Sequence, residues 1–459
     1  MKTSLVFSLL LFGMGGIGSV ARAQTGTFAR TGSMISPRFG HTATLLPDGR
    51  VLIAGGFTAC VIGSVCLRPD HDELYDPATG TFTATFPELL PDGRVLIAGY
   101  TVQLLDPSTD VLLNDGRVLH SGYRSAELYD PISGTSSPVA NWPGQEFRGD
   151  DPATSEWWYP VLLADGKVLL APYDSSSGCK IYDPATGTFN LTGALGDFLG
   201  VPLRTLLLNG AVLFTGGSDG FGNLNWAKLY DPTAGTFASK GSMSTPRQEH
   251  SATLLPDGTV LVAGGAGQSG CLAPPLASAE IFDPATSGFS TTGSLASARH
   301  AHTATLLNNG QVLVTGGTAF IAGCVSRVGS SIDGMSSAEL YTPAVLVAAP
   351  ELFSISGDGK GQGAIWHAQT GQIASAASPA IAGEALSMYT TNLVDGGVIP
   401  PQVTIGGRLA EVLYFGASGY PGYNQVNFRV PSGLAPGSAV SVRLNYIGRS
   451  SNQVTLAVR

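Results

Sequence analysis

The sequence predicts an all-β chain built from short four-stranded sheets stacked around an axis, the plan of a β-propeller, followed by a smaller β-sandwich. Three observations predict it. One hairpin phrase recurs: HTATLLPDGRVLIAGG at 41–56 returns as HSATLLPDGTVLVAGG at 250–265 and HTATLLNNGQVLVTGG at 302–317. A third-strand phrase follows each hairpin, as in DELYDP at 72–77 and AKLYDP at 227–232. Composition agrees, with 61 glycines in 459 residues, 12% charged residues and no long helical periodicity.

In chain order, residues 1–23 come first. Lys2, the apolar run LVFSLLLFGMGGIGSV and the small-x-small end Ala21-Arg22-Ala23 read as a signal peptide. An uncleaved membrane anchor is the alternative. Export makes the protein secreted (extracellular, periplasmic or cell-surface), with no membrane span once the signal is removed. The chain carries a net charge of −9 and no basic stripe, which argues against nucleic acid as a partner. Five cysteines in an exported chain suggest disulfides. The bridges expected are Cys60–Cys66, within one short loop, and Cys271–Cys324, between corresponding loops of successive repeats, and Cys179 is left over as a small buried side chain.

The repeat itself comes next. Two-residue turns fall at Asp48-Gly49, Asp92-Gly93, Asp115-Gly116, Asp165-Gly166, Asn209-Gly210, Asp257-Gly258 and Asn309-Gly310. Asp or Asn before Gly supplies the positive φ angles such a hairpin needs. Asp-Pro-x-x-Gly sets a second turn, and a fourth strand follows it, ending at Phe82, Phe189 and Phe237. Seven blade-like repeats result, one or two of them truncated. Repeats 2 and 3 are squeezed between residues 83 and 118, so six blades stays open as the alternative count. The last repeat stops after AELYTPA, and TGTFARTGSM at 25–34 is its missing fourth strand, so the N-terminal strand is expected to close the ring.

A glycine pair ending the second strand, a Tyr-Asp-Pro third strand and a Gly-x-Phe fourth resemble the Kelch motif over about residues 25 to 344. Departures are Phe82, Phe189, Phe237 and Phe289, where Kelch repeats usually carry Trp. The glycine pair is also lost in repeats 2, 3 and 4, which read AGY, HSG and LAP. The resemblance implies a Kelch-type propeller, of secreted bacterial type, over 24–345. From 346 to 459 the phrases VTIGGRLAEVLYFG and YNQVNFRVPSGLAPGSAVSVRLNYIGRSSNQVTLAV resemble the Ig-like β-sandwich module that ends many secreted bacterial proteins.

Function is read from variation between the repeats. The two kinds of turn share one face and barely change. Connections from strand two to three, and from four to the next one, lie on the opposite face and differ widely, which marks the recognition face. The densest stretch there is NWPGQEFRGDDPATSEWWY at 141–159. Trp142, Trp157 and Trp158 offer flat apolar rings, while Glu146, Arg148, Asp150, Asp151 and Glu156 offer hydrogen bonds. An aromatic wedge between blades is the plainer reading of this stretch. A ligand platform, for instance for sugars, is the functional one, and these eight residues are its candidates.

Arg-x-x-His occurs at Arg38/His41, Arg247/His250 and Arg299/His302. Three imidazoles on adjacent inner strands suggest a metal site, but their identical phrase favours a repeated structural role. The resemblance also brings in galactose-oxidase-like copper enzymes, which join a Kelch propeller to an Ig-like domain. Their site takes two Tyr and two His ligands, one His from the C-terminal domain, with one Tyr cross-linked to Cys. That pattern does not map residue by residue here: the C-terminal part has the single histidine His367. With no catalytic constellation, metal or cofactor assignable, the expectation is a monomeric, non-catalytic binding or scaffolding protein for an extracellular protein or glycan. A copper oxidase and a carbohydrate-binding propeller are the alternatives.

Overall fold

The computed structural model describes residues 25–61, 66–86, 88–89, 95–97, 100–102, 110–121, 125–130, 133–143, 158–172, 178–196, 202–219, 221–268, 275–319, 331–394 and 397–459. The architecture is all-β and propeller-like. Among the described residues, six antiparallel sheets of the propeller-like part have four strands each, and repeat 2 contributes a three-stranded sheet between Glu88 and Val102. Repeat 1 shows the pattern: Thr42–Leu45, Val51–Ala54, Asp72–Asp76 and Thr81–Thr85 pair in chain order. The first strands of repeats 3 to 7 and of repeat 1 pack one against the next, which arranges the sheets around a common axis.

The N-terminal strand Thr27–Arg30 pairs with Ala338–Thr342 of the last repeat, Thr27 opposite Thr342 and Arg30 opposite Glu339. That pairing joins the two ends of the ring and covers a sheet edge that would otherwise be open. A second clasp crosses the same seam. The two-to-three loop of repeat 1, strands Ala59–Val61 and Cys66–Leu67, pairs with Ser331–Asp333 from repeat 7. A disulfide joins Cys60 to Cys66, with Cα atoms 4.0 Å apart. Cys271 and Cys324 lie outside the described residues, as do residues 1–24. Among the described residues no helix is long and apolar enough to cross a membrane.

The second strands are the core. Val51–Ala54, Val212–Thr215, Val260–Ala263 and Val312–Thr315 are buried at every position, because both faces of each sheet meet a neighbouring sheet. Adjacent sheets are also tied by one repeated polar bond. The Thr after a fourth strand meets the Tyr of the next third strand: Thr31–Tyr75 at 2.9 Å, Thr192–Tyr230 at 2.7 Å and Thr292–Tyr341 at 2.9 Å.

The C-terminal strands form one eight-stranded system in which the long strand Arg408–Ala417 pairs on both sides. Its two halves enclose a core of Leu386, Met388, Val426, Phe428, Val442 and Leu444. This unit sits on the turn face of the ring. Arg443 donates to Pro47 O (2.8 Å), the Ser450 amide to Asn308 Oδ1 (3.3 Å) and the Val398 amide to Leu208 O (3.1 Å). The turn face is therefore covered, and the variable face is left free.

Candidate functional site on the variable face

The three Arg-x-x-His phrases form one structural unit used three times. Each arginine is fully buried and paired with the third-strand glutamate of its own sheet: Arg38–Glu73 at 3.1 Å, Arg247–Glu280 at 2.8 Å and Arg299–Glu339 at 2.8 Å. The same arginines donate to the carbonyl of the first glycine of the pair, Gly55, Gly264 or Gly316. Each histidine is wedged between sheets. His41 Nε2 meets Thr315 and Thr303, His250 meets Thr215 and His302 meets Ser251, all at 3.0 Å.

The glycine pairs now have a physical reason. A Cβ on Gly316 would stand 2.7 Å from His41 Cε1, and one on Gly56 would stand 2.8 Å from His41 Cβ. The second glycine of one pair and the first glycine of the neighbouring repeat's pair make the slot that the imidazole fills. Burial pushes His41 and His250 down to about 3, with Arg38 and Arg247 adding to it, and holds His302 well below the ordinary value. All three rings are neutral at physiological pH. Among the described residues, no group of three or more His, Cys, Asp or Glu side chains is arranged to hold a metal ion.

The aromatic stretch departs from the platform reading. Trp142 and Trp158 are buried, at 1% and 0% exposure, in the core between repeats 3 and 4. Trp142 meets Phe189 edge-on at 5.8 Å, and Lys180 lies 5.0 Å over the Trp158 ring. Trp158 stands eight residues before its turn glycine, the position His41 holds in repeat 1. Its hairpin ends in Ala171-Pro172, where repeat 1 has Ala54-Gly55. The remaining candidates, Glu146, Arg148, Asp150, Asp151, Glu156 and Trp157, lie outside the described residues. Cys179 is a buried free thiol in the neighbouring core, its pKa pushed up to about 12 by burial, which leaves it unreactive.

What the sequence reading missed lies on the variable face, in the two variable positions inside Arg-x-x-His. The residue before each histidine is left-handed: Gly40 at φ 60°, Glu249 at 51° and Ala301 at 51°. Two of the three are not glycine, so the conformation is imposed by the surroundings. The Gly40 amide donates to Ala301 O and the Ala301 amide to Glu249 O, a relay across three sheets. At its end the Glu249 carboxylate, half exposed, meets the buried His300 Nδ1 at 2.7 Å. The signal for this cluster was present: Phe39-Gly40, Gln248-Glu249 and His300-Ala301 differ inside an otherwise constant phrase.

The outer part of the same face is apolar. Ile35 (55%), Leu67 (58%), Phe86 (78%), Leu191 (77%) and Phe221 (93%) are the large apolar side chains that described residues 25–344 expose. Every one lies in, or at the edge of, a two-to-three or four-to-one connection. Phe221 is held up by an Asx turn, in which the Asp219 carboxylate accepts the amides of Phe221 and Gly222. Asn223 then anchors that loop to Ala266 O of the next repeat at 3.0 Å. A cleft of about 1010 Å³ opens elsewhere, between the turn face and the C-terminal unit. Leu112, Leu162, Leu206, Leu409 and Val412 wall it, and its Arg429–Glu411 pair is satisfied within the wall.

No protein-family model matches the sequence, and no curated protein matches it. Solved structures do. A fungal alcohol oxidase of the AA5 family, described as catalytically diverse and solved with copper, superposes with a TM-score of 0.52 at 16% identity. The match covers 95% of this chain and 99% of that one. At that identity the likeness is one of fold. The four histidines singled out in the sequence are already engaged. His41, His250 and His302 give Nε2 to hydroxyls inside closed slots, and His367 is held within its own domain by Glu384 (2.5 Å) and Ser378 O (2.9 Å).

Proposed function

We propose that the chain is an exported binding protein, a seven-bladed Kelch-type propeller with an Ig-like C-terminal module, whose variable face docks an extracellular protein. The observation that carries this reading is the placement of exposed apolar side chains. They gather on the one face that the C-terminal unit leaves open, and exposed aromatic anchors on a rigid scaffold suit a protein interface. The signal-peptide pattern of residues 1–23 and the Cys60–Cys66 disulfide support export. The test is capture from the organism's secreted and surface fractions on immobilised mature protein, wild type beside the Phe86→Asp/Phe221→Asp double variant. A partner held by the wild type and lost at least tenfold by the variant supports the reading; equal retention overturns it.

The likeness to an AA5 alcohol oxidase favours a second reading, copper-dependent oxidation of alcohols. Copper content after reconstitution, with peroxide release from simple alcohols and sugars, separates the two. Stoichiometric copper with turnover would put the second reading in place of the first.

A further inference from the structure

The geometry points to a separate binding site for a neutral oligosaccharide on the outer face of the C-terminal sheet. One row of side chains crosses four neighbouring strands there: Trp366 opposes Ser387, Ser387 opposes Asn427, and Asn427 opposes Tyr414. Opposed residues of a ladder share a face. The other face is the core, since Ile365, Leu386, Met388, Val426 and Phe428 are buried. Three interstrand steps of about 4.8 Å make the row about 14 Å long. An aromatic ring stands at each end, with a hydroxyl and an amide between.

Both ends are built. Tyr414 is 44% exposed and its hydroxyl donates to Ala417 O at 3.0 Å, which lays the ring along its own strand. Gly416, at φ 146°, makes this arrangement fit: a Cβ there would stand 3.3 Å from the Tyr414 hydroxyl. The ring can thus lie low over the backbone with a face to solvent. At the other end Trp366 packs edge-on with Tyr389 at 5.5 Å, and Tyr389 with the exposed Tyr420 at 6.0 Å. Between them the Gln425 amide donates to Ser387 Oγ (3.2 Å) and to Asn427 Oδ1 (2.9 Å), which fixes the polar groups before any ligand arrives.

The chemistry of this row selects its ligand. A pyranose has an apolar C–H face that covers an aromatic ring, and a rim of hydroxyls that both donate and accept. The row offers a ring at each end with neutral hydrogen-bonding groups between them, and no charge. Arg429 and Glu411, next along the same strands, neutralise each other at 2.8 Å. A polyanion finds no unpaired cation in the row and meets a chain of net charge −9. A lipid or apolar peptide would strip water from Ser387, Asn427 and Gln425 without replacing its hydrogen bonds.

The experiment titrates the full mature chain with cellohexaose, xylohexaose, mannohexaose and laminarihexaose by calorimetry and tryptophan fluorescence. One of them is expected to bind, with Tyr414→Ala and Asn427→Ala each weakening it at least tenfold and Trp366→Phe removing the fluorescence change. The Phe86→Asp/Phe221→Asp variant is expected to bind sugar normally, which keeps this site distinct from the propeller face. Circular dichroism checks each variant, and Gln425→Ala serves if Tyr414→Ala misfolds. No binding by any of the four sugars, or binding indifferent to these substitutions, would overturn the site. Sugar-independent capture of a protein through Tyr414 and Tyr420 would overturn it as well.

Discussion

At the seam between repeats 7 and 1, the residue eight places before the turn glycine is His41, seated against Gly316 and bonded to Thr315. At the junction of repeats 3 and 4 the same place holds Trp158, whose hairpin ends in Ala171-Pro172 and whose backbone carbonyl accepts from Ser121 Oγ at 3.0 Å. One hairpin therefore supports two kinds of wedge. Repeats 6, 7 and 1 use a polar wedge that needs glycines for room, a hydroxyl for its nitrogen and a buried Arg–Glu pair beside it. Repeats 3 and 4 use an apolar wedge that needs only volume. The difference teaches that a wedge is chosen together with its neighbours on two strands and the adjacent sheet, so exchanging the wedge alone fails.

The comparison can be broken in four ways, taken from the largest expected effect. Arg299→Ala leaves the buried Glu339 carboxylate without its cation and is expected to cost about 3–5 kcal/mol, read from urea unfolding. The double variant Arg299→Met/Glu339→Leu should recover much of that loss; failure to do so would show that the charges matter beyond each other. Trp158→His puts the polar wedge into the apolar slot, and the lost packing is expected to cost about 3 kcal/mol. Gly316→Ala forces a methyl towards His41 in a left-handed backbone and is expected to cost about 2 kcal/mol. Pairing it with His41→Ala should relieve only part of that loss, because the methyl still meets the Arg38 carbonyl oxygen.

The last change is the smallest at neutral pH, and it is the sharpest discriminator because its sign with pH is set. His41 and His250 have folded pKa values of about 3, below their unfolded value, so the unfolded chain takes up protons first as pH falls. Stability is complete above pH about 6.5 and drops towards pH 3, at about 1.4 kcal/mol per pH unit for each histidine. His41→Asn should remove one proton from that slope, measured as unfolding midpoint against pH. His367 works in the opposite sense: burial opposes its charge, but Ser378 and Glu384 outweigh it and raise its pKa. Its contribution is present at acid pH and is lost as pH rises through the raised value.

Much was legible in the sequence because the repeat writes its own local rules. Asp-Gly and Asp-Pro-x-x-Gly turns, alternating Leu and Val, and the stray TGTFAR strand are short-range signals, and they determined the strands, the faces, the ring closure and the Cys60–Cys66 bridge. The tertiary structure decided what no local signal carries. It buried Trp142 and Trp158, which look like a binding surface in one dimension, because only the packing of the neighbouring sheet reveals that their rings are enclosed. It joined Glu249 to His300 and Tyr414 to Gly416, Asn427 and Trp366, groups whose meeting depends on register and on packing between distant strands. A repeated phrase specifies the blade, and the space between blades specifies which residue inside the phrase is free to act.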